Sequence, residues 1–224
     1  MAEITLLNCD CMEYMAKLPD KAFDLAIVDP PYGIDWMKQI QNPNVKANWN
    51  VYENKEWDSE PPNREYFDKL KRISTNQIIW GANYMAENAV TSTPCWIIWD
   101  KCQEFSGATF EMAWTSFKSP AKAFRLSRVE AYANQIKIHP TQKPVALYEW
   151  LLANYAKPGQ RILDTHLGSG SSAIAAYNLG FDFVGMELDP DYYQAAVKRF
   201  NDHKAQGRMF ADVPKQYPEQ NQLL

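Results

Sequence analysis

The sequence predicts an α/β domain built on a mostly parallel sheet with helices on both faces. Short apolar runs alternate with helix-like segments, and the runs are apolar throughout rather than every second residue, as in strands buried on both sides. Several of these runs end in an acid, a glycine turn or a proline pair, the punctuation expected where a parallel sheet presents its ligand-binding edge. At 224 residues, 46% hydrophobic and 22% charged, positions 1–224 fit one ordinary domain.

The elements follow in order. Ile4–Leu7 is a strand, Met12–Leu18 a helix, and Phe23–Val28 a strand stopped by Asp29-Pro30-Pro31, because proline cannot continue a central ladder. Residues 33–62 lack periodicity, are rich in Asn, Trp, Lys and Glu, and read as a lid or binding loop. Within it, Trp36, Trp49 and Trp57 either stack on a ligand or pin the loop down. A helix over Arg64–Ile73 precedes a strand at Gln77–Trp80, a short helix at Tyr84–Ala89 and a strand at Cys95–Trp99. Glu111–Phe117 is its antiparallel partner. Val145–Tyr155 is a helix closed by Lys157-Pro158-Gly159, Arg161–Leu163 a strand, Ser171–Leu179 a helix and Phe183–Leu188 a strand. Asp189 caps a last helix with Pro190 in its first turn, running to about Lys204, and the last ten residues carry little signal.

Composition narrows the function. No basic cluster precedes an early apolar run, so no secretory signal is expected, and no stretch approaches membrane-spanning length. Cys9, Cys11, Cys95 and Cys102 read as buried free thiols, and with three histidines no metal site is expected. The net charge of -4 conceals a basic stretch between Ser116 and Lys143, which holds Lys118, Lys122, Arg125, Arg128, Lys137 and Lys143 against Glu130 alone. That stretch either meets a phosphate backbone or is a solvated face.

Two motifs carry chemistry. Arg161–Ser172 reads RILDTHLGSGSS: a strand, an acid, a glycine turn and a helix. Gly168 and Gly170 permit close backbone approach and the helix start offers free N–H groups, yet the spacing is neither the dinucleotide fingerprint nor a P-loop. It is a cofactor turn or a packing turn. Glu187, ending the next strand, either accepts two ribose hydroxyls or caps the following helix beside Asp189. The second motif is Asp29-Pro30-Pro31-Tyr32. A carboxylate beside a proline carbonyl makes a rigid pair of acceptors suited to an amino group that must lose a hydrogen, and Tyr32 offers a stacking face. Alone, the tetrapeptide could equally be a strand terminator.

Three stretches taken together closely resemble the amino-methyltransferases of DNA: DCMEYMAKLPDKAFDLAIVDPPYG from Asp10, HPTQKPVALYEWLL from His139, and ILDTHLGSGSSAIAA from Ile162 with VGMELDPDYY from Val184. The order resembles the permuted beta group, in which the catalytic motif precedes the cofactor motif. The resemblance implies a Rossmann-like S-adenosylmethionine-dependent methyltransferase fold with a seven-stranded, mostly parallel sheet and one antiparallel strand. It makes Asp29, Pro30, Pro31 and Tyr32 the catalytic residues, holding and stacking a base flipped out of duplex DNA. Cofactor contacts fall to Asp10 near the adenine, Glu187 with Leu188 at the ribose, and Asp164, His166, Gly168, Ser169 and Gly170 at the glycine turn. Asp29, Thr141, Gln142 and Lys143 complete the set, with Lys143 neutralising the cofactor carboxylate and His139 a structural or cofactor-adjacent residue.

The resemblance further implies double-stranded DNA as partner, contacted by Lys118, Lys122, Arg125, Arg128 and Trp36, with residues 103–138 as a short target-recognition region. Pairing of two copies, a companion restriction endonuclease and a cytoplasmic, prokaryotic or phage-encoded setting belong to the same expectation. Asp rather than Ser before Pro-Pro-Tyr favours N6 of adenine; N4 of cytosine is the alternative, and a non-catalytic DNA-binding or assembly subunit the alternative of another class. One departure stands out: Asp164-Thr165-His166 replaces the commoner Asp-Pro-Phe.

Overall fold

A computed structural model describes residues 2–34, 58, 60–89, 91–102, 108–133 and 137–209. Their elements are β1 (Ile4–Asn8), α1 (Cys11–Ala16), β2 (Phe23–Val28), α2 (Arg64–Ile73), β3 (Ser74–Trp80), α3 (Ala86–Ala89), β4 (Trp96–Asp100), β5 (Phe110–Thr115) and β6 (Lys122–Arg125). They continue with α4 (Arg128–Tyr132), α5 (Val145–Tyr155), β7 (Arg161–Asp164), α6 (Ser171–Leu179), β8 (Asp182–Glu187) and α7 (Pro190–Met209). Trp36, Trp49, Trp57 and the end of the chain lie outside the described residues.

The strands form one sheet in the order β1-β8-β7-β2-β3-β5-β4-β6. β5 runs antiparallel to both its neighbours, and every other pairing is parallel. One reversed strand in a mostly parallel sheet is as expected, but among the described residues the sheet has eight strands rather than seven. The extra one is β6, pairing with β4 from Ile97↔Lys122 to Asp100↔Arg125. It escapes a sequence reading because only Phe124 of its four residues is buried, and charged, short strands are what sheet edges carry.

Strand periodicity divides the core in two. Leu25 and Ile27 of β2 point to one face, joining Ile78, Trp80 and the apolar sides of α5, α6 and α7. Ala26 and Val28 point to the other, against Met15 of α1 and Phe67, Leu70 and Ile73 of α2. Each fully buried Leu, Ile or Phe contributes about 1.5–3 kcal/mol, so the two layers fix the level of β2 relative to its neighbours. The strand therefore ends at Val28 with Asp29 placed at the carboxyl edge. Glu187 ends β8 and Asp164 ends β7 at the same edge.

The thiols are not uniformly buried: Cys95 is, Cys9 and Cys11 are half-buried, and Cys102 is exposed. Cys102 follows the end of β4 rather than lying within it, which leaves its side chain at the rim.

Candidate active site

The carboxyl edge of the sheet opens into a cavity of about 530 Å³ lined by Asp10, Asp29, Pro31, Thr141, Gln142, Lys143, His166, Gly168, Ser169, Glu187 and Leu188, among others. Most of the cofactor residues expected from sequence therefore share one wall system. Asp164 and Gly170 are not among the lining residues. Asp164 lies beneath the turn, where its carboxylate accepts from the Ser172 hydroxyl at 2.6 Å and the His166 amide at 3.0 Å. Burial pushes its carboxyl up to about 7, against the pull of those two donors.

The glycine turn is shaped by backbone conformation. Gly168 (φ +52°) and Gly170 (φ +75°) both occupy the left-handed region, which other residues enter at a cost. Gly170 caps α6. Glu187 accepts the Gly168 amide at 2.9 Å and the Asp189 amide at 3.0 Å, so the acid of β8 is latched onto the turn that follows β7. Arg199 of α7 clamps the turn from behind, donating to the Ser169 carbonyl at 2.8 Å and the Ser171 hydroxyl at 3.0 Å. Asp189 caps α7 through the Asp191 and Tyr192 amides. Asp10 has a similar duty at α1, accepting from Met12 at 2.6 Å.

The Thr165-His166 departure has its own solution. Thr165 Oγ1 lies 2.6 Å from the Tyr66 hydroxyl and 2.9 Å from His166 Nδ1. Tyr66 and His166 meet edge to face at 5.4 Å. An aromatic ring thus still stands at the cavity wall, held by hydrogen bonds. Burial pushes the His166 imidazole down to about 4 and His139 down to about 3, so both are neutral at physiological pH.

The Asp29–Tyr32 tetrapeptide is braced by several contacts. The Tyr32 hydroxyl donates to Asp29 Oδ1 at 2.7 Å, and Asp58 accepts the amides of Tyr32 and Gly33 at 2.7 and 3.0 Å. Tyr84 stacks on the Tyr32 ring at 5.3 Å, with 16° between planes. Lys143, expected beside a cofactor carboxylate, lines the cavity, and there its ammonium is tied to the Asp29 carboxylate. Its Nζ lies 2.5 Å from Asp29 Oδ2, 3.1 Å from the Tyr32 hydroxyl and 3.1 Å from Glu111. It also lies 5.3 Å from the Trp80 ring centre and 5.6 Å from that of Tyr32. The reason is position: Lys143 precedes α5 and is buried, so its charge must be matched by the nearest carboxylates.

Glu111, near the start of β5, escapes the sequence reading because an isolated acid in a strand signals nothing about distant partners. Lys101 bridges to it at 2.8 Å. Burial pushes the Glu111 carboxyl up, but Lys143 and Lys101 outweigh it and hold the group at about 2. Burial likewise opposes the charge of Lys143, and Asp29 with Glu111 prevails, keeping the ammonium protonated. At Asp29 burial wins over Lys143, pushing the carboxyl above its ordinary value.

The basic stretch is split by the sheet. β5 ends and β6 begins at the edge far from Asp29, which carries Lys118 and Lys122 away from the cavity; Lys122 there bonds Asn154 at 3.0 Å. Arg125 and Arg128, at the other end of β6, stand on the cavity side, Arg125 paired with Asp100 at 3.0 Å. The structure does not bring the four together. Among the described residues no helix is long and apolar enough to cross a membrane.

The doubly covered sheet, with its acid-tipped strands converging on one cavity, is the Rossmann-like α/β fold of S-adenosylmethionine-dependent methyltransferases. The chain belongs to the N6/N4 methyltransferase family, described as DNA methylase, whose model matches residues 79–198. The Asp29–Tyr32 tetrapeptide precedes that stretch. Over 204 residues the chain is 28% identical to YubD of Escherichia coli K12, provisionally named a methylase, covering 85% of this chain and 87% of that protein. Among solved structures, the M1.HpyAVI–SAM complex superposes with a TM-score of 0.56 at 21% identity, covering 88% of this chain and 99% of that one. The Thermus thermophilus protein TTHA0409, a DNA modification methylase by provisional name, complexed with S-adenosyl-L-methionine, gives 0.55 at 16%, covering 91% and 94%. The cytosine-N4-specific PvuII DNA methyltransferase gives 0.58 at 11%, covering 92% and 93%. At these identities the structures share the fold.

Proposed function

We propose that this protein transfers a methyl group from S-adenosylmethionine to N6 of an adenine flipped out of double-stranded DNA, as a member of the permuted beta group. The observation that carries the reading is that the Asp29 carboxylate and the Glu187–Gly168 turn line one cavity, an amino-group acceptor facing a nucleoside-type site. The cavity volume of about 530 Å³ suits such a cofactor, within the roughly 300–1,000 Å³ of small-ligand pockets. Gln142 adds a buried side-chain donor, Nε2, with no partner among the described residues, as a wall awaiting a polar ligand would. Glu187, Leu188, Gly168, Ser169, His166, Asp10, Thr141 and Gln142 would hold the cofactor, with Asp164 and Gly170 shaping the turn from behind.

When bound, S-adenosylmethionine supplies an electrophilic sulfonium methyl. The chain does the rest. Asp29 and the Pro30 carbonyl accept the two hydrogens of the target amino group, turning its lone pair out of conjugation with the ring. The proton released on methylation passes to an Asp29 oxygen, whose raised affinity for protons suits it to receive one. Tyr32, with Tyr84 on one face, keeps the other for the base. Arg125 and Arg128 contact phosphates on the catalytic side. Pairing of two copies and a companion nuclease belong to this reading by resemblance, the brevity of residues 103–138 supporting a second subunit.

The test is transfer of labelled methyl from S-adenosylmethionine to duplex DNA, followed by digestion to nucleosides. Label on N6-methyladenine is expected. Label on N4-methylcytosine moves the target to cytosine. No label with DNA binding retained makes the chain a non-catalytic subunit.

A further inference from the structure

Around Asp29 the charges alternate from the rim inward: Lys101, Glu111, Lys143, Asp29. Lys101 bridges Glu111 at 2.8 Å, Glu111 bridges Lys143 at 3.1 Å, and Lys143 bridges Asp29 at 2.5 Å. The members come from the end of β4, the start of β5, the segment before α5 and the end of β2. Such a chain is more than packing. Lys143 alone would neutralise Asp29 and weaken it as an acceptor; Glu111 divides the ammonium's attention and sets a second negative charge nearby.

We propose that Glu111, anchored by Lys101, is a positioning residue that fixes the Lys143 ammonium and preserves the basicity of Asp29 toward the target amino group. It acts through Lys143 and touches neither base nor cofactor. The role in methyl transfer rests on the proposed function, but the electrostatic claim concerns the protein alone. The other titratable groups facing Asp29 are Tyr32 on its own loop, Tyr66 of α2, Tyr132 of α4, Tyr148 of α5 and Asp164 of β7. Burial pushes each tyrosine upward, so they stay uncharged near neutrality. Asp164, whose carboxyl burial pushes up to about 7, acts in the same direction as Glu111 only once it ionises.

The decisive property is sign. Glu111→Gln removes a negative neighbour and should lower the titration midpoint of Asp29; Lys101→Met removes a positive one and should raise it. The Glu111→Gln shift should be about one pH unit in a partly screened site, and the Lys101→Met shift smaller, since Lys101 reaches Asp29 only through Glu111 and Lys143. The midpoint is read by carboxyl ¹³C NMR of ligand-free protein, with the Asp29 signal assigned through Asp29→Asn. In transfer assays the acid limb of kcat should move in the same two directions, kcat for Glu111→Gln falling about fivefold while KM values hold. A merely structural Glu111 would move both variants alike or leave the midpoint unmoved, and either result overturns the proposal. If Glu111→Gln fails to fold, Lys101→Met still decides by the sign of its shift. A wild-type protein that transfers no methyl group refutes the proposed function while the NMR titration still judges this inference.

Discussion

Lys143 and Asp29 lie 114 positions apart in the chain and meet at 2.5 Å, the lysine shared with Glu111. Removing one member of such a cluster exposes the others. Lys143→Met leaves two half-buried carboxylates with no cation between them, Glu111 keeping only Lys101, at a cost of about 3 kcal/mol. Asp29, whose carboxyl burial already pushes up, would rise further without the ammonium that opposes that push. Denaturant unfolding should therefore show a smaller deficit at pH 5 than at pH 7, with methyl transfer lost at both.

Gly81 lies at the end of β3 with φ +65°, and a methyl group there would come within 2.1 Å of the Tyr32 ring. Gly81→Ala bears the left-handed penalty of about 1–2 kcal/mol and must also push Tyr32 off Asp29 and Tyr84. Thermal melts should show the stability loss. A rise in KM for DNA larger than that for the cofactor would show that the tyrosine was displaced.

Asp164 holds its proton to about pH 7, against an ordinary carboxylate value of 3.8. Its folded value is raised, so the native state keeps a proton that the unfolded chain has released. Stability from this group is therefore fully present below about pH 4 and is lost as pH rises to about 7, by something on the order of 4 kcal/mol. Asp164→Asn should lack that component, and the gap between variant and wild-type unfolding curves should widen in the variant's favour between those limits.

Charge reversal at the two ends of β6 separates their roles. Arg125→Glu or Arg128→Glu should weaken DNA binding and reduce the slope of its salt dependence by about 0.9 for each phosphate no longer neutralised. Lys122→Glu, at the far edge beside Asn154, should leave binding within about twofold at moderate salt. Fluorescence anisotropy over a salt series checks both; equal weakening would put DNA across both ends of the sheet.

A helix with a strong apolar face, α2, helices apolar nearly all round, α5 and α6, and strands ended by turn residues are legible in the sequence, the three helices beginning and ending where their residues dictate. The start of β3 is not, because Ser74-Thr75-Asn76 is polar and joins the ladder through Ser74, buried opposite Phe23, and Asn76 opposite Leu25. α4 does carry a local signal, the Ser127–Glu130 capping box, which the surrounding basic residues obscure. At the site, Asp29, the glycine turn and Glu187 are readable because a local motif encodes a local geometry. Glu111 and Asp58 are not, since each joins the site through tertiary neighbours. Lys118 and Lys122 group with Arg125 by nearness in the chain, which the reversal at β5 undoes.

That reversal has a further consequence. The parallel strands β2, β7 and β8 deliver their last residues to the cavity edge, whereas β5 delivers its first, so Glu111 stands opposite Trp99 while Ala113 stands opposite Trp80. Successive strand residues face opposite sides. A slip of β5 by one place would turn the acid away and bring Phe110 or Met112 to the lysine. Alignment of a single ladder and charge balance at the reacting centre are thus one variable: a misassembled sheet would also be a chemically silent one.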